Sequence, residues 1–389
     1  MASTMGLPQS LKVLHVVDSL ELGGLERVVT DLALAQQRAG DDVAVFSIND
    51  TAGHRSTLEA AGIPVIQGGK RNTADIGVLR ALRQQVGNTD IVHAHNFVPN
   101  YYCAAAVLLA AGRKPQVLTC HDMGSRLDDR KLRLLFRLSL ARTTRIAMVS
   151  RQVLDRYLAS GMIDPNKASV ILNGIDTSRF GSGEALRREA RRALHLPAEG
   201  LVIGAVGRMV ALKNHRALLS AMPCLLRTNP DLNLVLAGDG PVRADLEQQA
   251  RSLGIAARVR FLGERSDVAS LLPAFDVFAM PSLTEGLSIA LLEACACGLA
   301  IVASEVGGNP EIVADRKRGI LFPAGDDDAL AAALLAMLAD EPLRRRLGEA
   351  ARDWVRNSCS IAATRRAYDD CYRAARRALD TSTAAADPA

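Results

Sequence analysis

The feature that most constrains the fold is a regular alternation of short apolar runs and longer amphipathic stretches, which begins at Lys12. The runs typical of buried strands are KVLHVV, VAVFSI, DIVHAH, QVLT, RIAMV and ASVIL, and later LVIGAVG, LNLVLAG, RVRFLG, DVFAM, AIVAS and GILF. The stretch after the first run has one apolar helical face, formed by Leu25, Val28, Val29 and Leu32. Strands that alternate with helices in this way predict parallel sheets covered by helices.

A linker-like segment separates the two series of runs. NGIDTSRFGSG (173–183) is rich in Gly, Ser, Asn and Asp, and an Arg-rich helical stretch over 184–195 follows it. A length of 389 residues suits two domains of about 150 residues each. We therefore expect two doubly wound, Rossmann-like domains that face each other across a ligand-binding cleft. The expected division is a disordered segment 1–10, a first domain 11–185, a second domain 186–358, a helix 359–380 that packs back on the first domain, and a tail 381–389.

Composition excludes several classes of protein. The net charge of +5, from 47 basic and 42 acidic residues, is too balanced for a nucleic-acid-binding protein. MASTMGLPQS lacks the pattern of a secretory signal, and no window approaches about 18 uninterrupted apolar residues. We therefore expect a soluble, cytoplasmic protein. The seven cysteines are an odd number with no Cys-x-x-Cys pair, which argues against disulfides and a thiolate zinc site.

The stretch TEGLSIALLEACACGLA (284–300) carries two carboxylates in a sequence that otherwise resembles a buried helix. Here the pattern predicts a helix that begins at Leu287, after a strand and a loop. Side chains on a helix lean toward its N-terminus, so Glu293 leans toward this end, while Glu285 precedes the helix and faces the cleft. Free backbone amides at a helix start form an anion site, here predicted at Gly286, Leu287, Ser288 and Ile289.

Two carboxylates beside a phosphate suit a phosphate that is joined to hydroxyl-rich groups on both sides, as in a sugar nucleotide. The alternative is an ordinary solvated Glu285 and a salt-bridged Glu293. Positive charge for the same anion is available in AVGRMVALKNH, where Arg208 and Lys213 lie five residues apart on one loop. Each charge-assisted contact contributes about 1.5–3 kcal/mol. The alternative for this loop is a pair of solvated basic residues.

Histidines form a second candidate cluster. DIVHAHN places His93 and His95 on one face of a strand, because alternate residues share a side. With His121 they have the composition of a three-histidine metal site, but histidines at strand ends more often line a pocket. We therefore expect no metal.

A basic amphipathic stretch, RKLRLLFRLSLARTTR (130–145), has six basic residues, no acidic residue and leucines at helical spacing. It has the composition of a peripheral membrane helix that lies on anionic lipid. The simpler alternative, which we prefer, is an amphipathic helix with a solvated basic face.

Taken in order, these motifs resemble glycosyltransferase family 4, which has the GT-B fold, from about Val13 to the last helix. The Glu-x7-Glu motif of Glu285 and Glu293, followed by SEVGGNPEIV, is the most specific part. LGGLERVV resembles the glycine loop of the family, VLTCHD its histidine strand end, NGID its interdomain turn, and GR with Lys213 its diphosphate clamp. LAGDGP is also similar to a family motif.

The resemblance implies roles for residues of the second domain. Arg208 and Lys213 would hold the donor diphosphate and stabilise the charge that develops on it. Glu293 would accept hydrogen bonds from ribose, and Glu285 would contact the donor sugar. The amides of 286–289 would bind phosphate or sugar.

In the first domain, the resemblance implies that Gly23 and Gly24 let the backbone approach the diphosphate and that His121 binds the transferred sugar. It implies a retaining, metal-independent transfer, with no cofactor, from a UDP- or GDP-sugar to a glycan or lipid-linked acceptor of cell-surface polysaccharide synthesis. One departure concerns donor identity, because Leu287 and Ser288 stand where many members have an aromatic residue and a second glycine. A sugar-nucleotide epimerase of the same fold and a non-catalytic sugar-nucleotide sensor are the alternatives.

Overall fold

The computed structural model describes residues 10–21, 23–50, 52–72, 75–110, 114–121 and 129–384. The expected disorder at the N-terminus falls on residues outside this set, apart from Ser10, and so does the end of the expected tail from residue 385. Two compact units are present. One comprises the chain up to Gly174 together with the residues from Ile361 onward, and the other is Ile175–Ser360.

The first unit contains a parallel sheet with seven strands in its described part, in the order β3-β2-β1-β4-β5-β6-β7. The strands are β1 (Lys12–Val17), β2 (Asp42–Ser47), β3 (Val65–Gln67), β4 (Ile91–His95), β5 (Gln116–Cys120), β6 (Arg145–Met148) and β7 (Ala168–Val170). The helices are α1 (Gly24–Arg38), α2 (Arg55–Ala60), α3 (Ile76–Gly87), α4 (Phe97–Leu109), α5 (Arg130–Leu140) and α6 (Arg151–Ala159). Burial of β4 and β5 along their whole length explains why their sequences are apolar apart from His93, His95, Gln116 and Thr119.

The second unit contains a parallel sheet with six strands among the residues described, in the order β10-β9-β8-β11-β12-β13. The strands are β8 (Val202–Val206), β9 (Asn233–Ala237), β10 (Val259–Phe261), β11 (Val277–Met280), β12 (Ala300–Ser304) and β13 (Ile320–Phe322). The helices are α7 (Glu184–Ala193), α8 (His215–Thr228), α9 (Arg243–Ser252), α10 (Val268–Leu271), α11 (Ile289–Ala296), α12 (Asn309–Val313), α13 (Asp327–Ala339) and α14 (Glu341–Ser358).

The last helix, α15 (Ile361–Ala384), belongs to the first unit. Its Tyr368 hydroxyl lies 2.8 Å from the Thr119 hydroxyl, and its Tyr372 hydroxyl lies 2.8 Å from Nδ1 of His93. Both tyrosines are buried, with 1% and 0% exposure. The helix therefore covers the middle of the first sheet with two aromatic rings whose hydroxyl groups are all paired.

Candidate active site

The site in the second unit lies where β8 and β11 are neighbours in the sheet. The chain leaves β8 toward β9 on one side and leaves β11 toward β12 on the other, so the loops after these strands diverge and leave a crevice. These loops, 207–214 and 281–288, contain the basic pair and the first glutamate that the sequence singled out.

Lys213 and Glu285 meet in this crevice. Nζ of Lys213 lies 2.6 Å from Oε1 of Glu285, and the Ser282 hydroxyl donates to the same oxygen at 2.6 Å. The side chain of Glu285 is 9% exposed and that of Lys213 is 27% exposed. The backbone joins the two loops as well, because the amide of Leu283 donates to the carbonyl of Leu212 at 2.8 Å. The structure thus brings together two predicted site residues and fixes their distance.

The stretch after β12 shapes the loop that carries Glu285. Gly307 has a φ of +54°, and a Cβ there would lie 1.9 Å from the carbonyl oxygen of Glu285. The amide of Gly308 donates to the carbonyl of Gly286 at 2.6 Å, and a Cβ on Gly308 would lie 2.4 Å from Cδ1 of Leu287. Glycines are therefore required where this backbone approaches the loop.

Helix α11 begins at Ile289, so the prediction that it begins at Leu287 is wrong by two residues. Ser288 is the N-cap, and its hydroxyl accepts from the amide of Leu291 at 3.4 Å. A serine at this position satisfies an amide that would otherwise lack a partner. Gly286 and Leu287 accordingly precede the helix and belong to the loop.

The other two predicted residues of this unit lie on the same elements. Arg208 follows β8 on the loop that leads to Lys213, and its side chain is exposed. Glu293 lies in the second turn of α11 and is half-buried. Burial, and then the charge of Glu293, raise the pKa of the Cys297 thiol to about 12. His215, the first residue of α8, is buried, and burial together with the Lys213 cation lowers its pKa to about 4.

In the first unit, the predicted glycines lie at the start of α1, after β1. Gly23 is the N-cap, with an extended φ of −165°, and its carbonyl accepts from the amide of Arg27 at 3.0 Å. Gly24 is the first helical residue and is exposed. The carboxylate of Glu26 lies close to Gly23, since a Cβ there would be 2.3 Å from Oε2 of Glu26. The role of the two glycines in a close backbone approach stays a prediction.

His121 follows β5 and is buried, with 8% exposure. Its amide donates to Oδ1 of Asn96 at 2.8 Å, and Asn96 has a φ of +66°. A non-glycine residue in this conformation is strained, and the hydrogen bond to His121 is one of the interactions that hold it there.

Four histidines, His15, His93, His95 and His121, form what we term the histidine layer of the first unit. His15 lies on β1 directly opposite His93 of β4. One ring nitrogen of His15, one of His93 and one of His95 lie within 4.8 Å of one another. All four residues are buried.

The layer does not favour a metal site. Both ring nitrogens of His93 are paired with hydroxyl groups, Nδ1 with Tyr372 at 2.8 Å and Nε2 with Thr119 at 2.7 Å. Nδ1 of His95 lies 3.2 Å from Nε2 of His121. A metal ion would have to displace these hydrogen bonds, and the close trio includes His15 in place of the predicted His121.

Several residues of these networks were not singled out from the sequence, among them His15, Asn96, Thr119, Ser282 and Tyr372. His15 lies in the strand-like run KVLHVV, where a histidine among apolar residues is itself a signal. The others are polar residues with no distinctive spacing. Only the fold shows that they reach the site.

Comparison with known proteins agrees with this geometry. The family model "Glycosyl transferases group 1" matches residues 187–354, and "Glycosyltransferase Family 4" matches residues 22–179. A D-inositol 3-phosphate glycosyltransferase of Actinosynnema mirum is 31% identical over 77% of this chain and 80% of its own length. The chain belongs to glycosyltransferase family 4.

One further relative matches part of the chain, and one solved structure matches most of it. A GDP-mannose-dependent alpha-(1-6)-phosphatidylinositol monomannoside mannosyltransferase of Mycolicibacterium smegmatis is 36% identical over 54% of this chain and 57% of its own length. Among solved structures, Anabaena Alr3699/HepE in complex with UDP and glucose has a TM-score of 0.83 at 23% identity, over 92% of this chain and 98% of that one. This structural likeness shows the GT-B fold, with its two Rossmann-like domains.

Proposed function

We propose that the protein is a retaining glycosyltransferase that moves a sugar from a UDP- or GDP-sugar to a hydroxyl of a glycan or lipid-linked acceptor, in cytoplasmic steps of cell-surface polysaccharide or glycoconjugate synthesis. The observation that carries the proposal is the Lys213–Glu285 pair in the crevice between β8 and β11. The names of relatives support the substrate classes. One relative is described as GDP-mannose-dependent and as acting on a phosphatidylinositol mannoside, and one structural neighbour contains UDP and glucose.

In this proposal Lys213 holds the leaving diphosphate. A lysine ammonium has three hydrogens to donate, and the described contacts commit one of them to Glu285. The remaining hydrogens are available to phosphate oxygens on the exposed side of the group. Arg208, exposed on the same loop, supplies a second cation. Positive charge at this position stabilises the negative charge that develops on the diphosphate as the glycosidic bond breaks.

The carboxylates have different partners in the donor. Glu285, fixed by Lys213 and Ser282, lies beside the sugar and stabilises the positive character of its reacting carbon. Glu293 accepts hydrogen bonds from the ribose hydroxyls. The amides of 286–289 bind phosphate or sugar, Gly23 and Gly24 permit close backbone approach, and His121 binds the transferred sugar.

The stereochemistry and the absence of a metal cofactor are also part of the proposal. No side chain among the described site residues stands out as a covalent nucleophile, so the departing phosphate assists deprotonation of the acceptor on the same face of the sugar. The ammonium and guanidinium groups supply the charge stabilisation that a divalent cation gives in other enzymes. Transfer should therefore continue in the presence of a chelator.

The described helix α5 is the feature that favours a lipid-linked acceptor. Leu134 and Leu138 are 59% and 62% exposed on it, next to the exposed Arg133 and Arg137. No helix of the described chain has the length and apolar character needed to span a membrane. Arg133→Glu with Arg137→Glu should weaken binding to anionic vesicles by about 1 kcal/mol per lost charge, as measured by vesicle co-sedimentation. If the wild-type protein and the variant bind vesicles equally, or if neither binds, membrane contact is no longer part of the proposal.

The test of the function is a donor screen followed by a transfer assay. A nucleotide sugar at a hundredfold excess over its Kd should stabilise the protein by about 2.7 kcal/mol, visible as a thermal shift. The donor so identified is incubated alone and with glycan or lipid-linked acceptors, and products are analysed by mass spectrometry and for anomeric configuration. Glycosylated acceptor with retained configuration is expected. An altered nucleotide sugar from donor alone would instead indicate an epimerase, and binding without turnover would indicate a sensor.

A further inference from the structure

A hydrogen-bonded chain connects Gln36 of α1 to His121 through two buried histidines. Nε2 of His15 lies 2.7 Å from Oε1 of Gln36, and Nδ1 of His15 lies 3.0 Å from Nε2 of His95. Nδ1 of His95 lies 3.2 Å from Nε2 of His121. Each intermediate ring therefore uses both of its nitrogens, and the chain ends at the residue that we place beside the transferred sugar.

The amide of Gln36 sets the direction of every bond in this chain. Its Nε2 donates to the Tyr372 hydroxyl at 3.1 Å, which leaves Oε1 to accept from His15. The Tyr372 hydroxyl then donates to Nδ1 of His93 at 2.8 Å. The two branches are mutually consistent, because a hydroxyl that accepts one hydrogen bond still has its own hydrogen to donate.

All four rings of the layer are neutral near pH 7. Burial lowers the pKa of His15 to about 4, against the opposing effect of the hydrogen bond that His15 donates to Gln36, and lowers the pKa of His121 to about 3. Burial, followed by the neighbouring imidazoles, holds the pKa values of His93 and His95 well below 6.5. A neutral imidazole has one protonated and one unprotonated nitrogen, so each ring must be a donor at one nitrogen and an acceptor at the other.

With the direction and the charge state fixed, the tautomers follow one by one. His15 donates from Nε2 to Gln36 and accepts at Nδ1. His95 therefore carries its hydrogen on Nε2 and accepts at Nδ1. His121 in turn carries its hydrogen on Nε2 and has a lone pair on Nδ1. That nitrogen is buried and has no hydrogen-bond partner among the described residues.

We propose that Gln36, His15 and His95 are positioning residues that hold His121 as the neutral tautomer protonated at Nε2. Nδ1 of His121 then accepts a hydrogen bond from a hydroxyl of the transferred sugar. The inference rests on the proposed function, since it assigns a direction to the contact between His121 and the donor. A donor sugar without this hydroxyl, or with a group there that can only accept a hydrogen bond, leaves Nδ1 buried and unpaired. Such a sugar is therefore a poorer substrate.

Two leucine variants on one strand test the proposal. His95→Leu removes the acceptor for Nε2 of His121, whereas His93→Leu removes an equally buried ring of the same strand that belongs to the other branch. Nitrogen NMR of histidine-labelled protein distinguishes protonated from unprotonated ring nitrogens. In wild type and His93→Leu, His121 should show protonated Nε2 and unprotonated Nδ1. In His95→Leu it should show a mixture of tautomers.

Kinetics with the donor found by the screen give the second readout. His95→Leu should lower kcat by between about tenfold and a hundredfold, and His93→Leu should stay within about threefold of wild type at similar thermal stability. His95→Gln, whose amide accepts and donates as the imidazole does, should recover part of the loss. An unchanged His121 tautomer in His95→Leu, or equal losses in the two leucine variants, would overturn the proposal. Because the NMR readout needs no turnover, failure of the proposed function and failure of this inference are distinguishable.

Discussion

Two cation–carboxylate pairs lie at opposite ends of the same two strands, β8 and β11. At the amino ends, Arg191 binds Asp276 with a distance of 2.8 Å, and Asp276 also accepts from the amide of Val202 at 2.7 Å. At the carboxyl ends, Lys213 binds Glu285 at 2.6 Å. The chemistry of the two pairs is similar, but their surroundings differ.

The two pairs differ in how completely the protein itself uses the hydrogen-bond donors of each cation. Arg191 is 1% exposed, and its guanidinium also donates to four backbone carbonyls, those of Ala274, Pro197, Ala198 and Gly200. Lys213 keeps 27% of its side-chain surface exposed. A saturated buried cation has no capacity left for a ligand, whereas a partly exposed one does. This difference favours a stabilising role for the first pair and the substrate-binding role that we propose for the second.

The largest effect should follow loss of the saturated cation. Arg191→Leu leaves four backbone carbonyls without their guanidinium donor and removes one of two arginines from Asp276, which Arg187 still binds at 2.6 Å. This change should lower the free energy of unfolding by about 3–5 kcal/mol. Trp354, the one tryptophan of the sequence, lies in the second unit, so its fluorescence in denaturant reports on this unit. Arg188→Ala is the matched control, since its pair with Glu184 is exposed and 3.6 Å long. A loss below about 1 kcal/mol for Arg191→Leu would contradict the structural role.

Loss of the exposed cation should affect rate more than stability. Lys213→Ala removes charge from the position that we propose for the leaving diphosphate and should lower kcat by roughly a hundredfold, or ~3 kcal/mol. Steady-state kinetics with the identified donor measure it, and tryptophan fluorescence checks folding. Lys317→Ala, at an exposed position of the same unit, is the control and should keep normal turnover. A folded Lys213→Ala protein with near-normal kcat would show that this lysine does not act on the leaving group.

The smallest effect separates the two glutamates. Glu293→Gln keeps an acceptor oxygen but loses the charge that strengthens hydrogen bonds from ribose, so the donor KM should rise about tenfold, or ~1.4 kcal/mol, with kcat little changed. Glu285→Gln should instead lower kcat more than it changes donor binding, because we propose that its carboxylate faces the reacting sugar. A Glu285→Gln variant altered only in donor affinity would mean that the two roles are assigned wrongly.

Much of the fold was predictable, because buried parallel strands need continuous apolar runs. Each of the twelve runs identified in the sequence overlaps a strand of the structure. Strand β3 was missed, since Val65–Gln67 is three residues long, half-buried and preceded by a proline. The start of α11 was placed two residues too early because the apolar pattern extends through Leu287, whereas Ser288 caps the helix.

The sequence was enough to name candidate residues of the site, but it did not predict the contacts between them. The sequence located Lys213 and Glu285 on separate loops, yet the ion pair between them spans 72 positions and depends on the order of strands in the sheet. The chain from Gln36 to His121 was not predictable for the same reason. Its members come from α1, β1, β4 and the residue after β5, and none of these spacings is local.

We propose that the second unit holds the donor through Lys213, and a crystal structure with bound nucleoside diphosphate would test this directly. UDP or GDP would be chosen by thermal shift. We expect phosphate oxygens within hydrogen-bond distance of Nζ of Lys213 and beside the side chain of Arg208, with the ribose hydroxyls hydrogen-bonded to Glu293. Phosphates held chiefly by residues 12–174 of the first unit, with Lys213 still bound only to Glu285, would contradict the proposal.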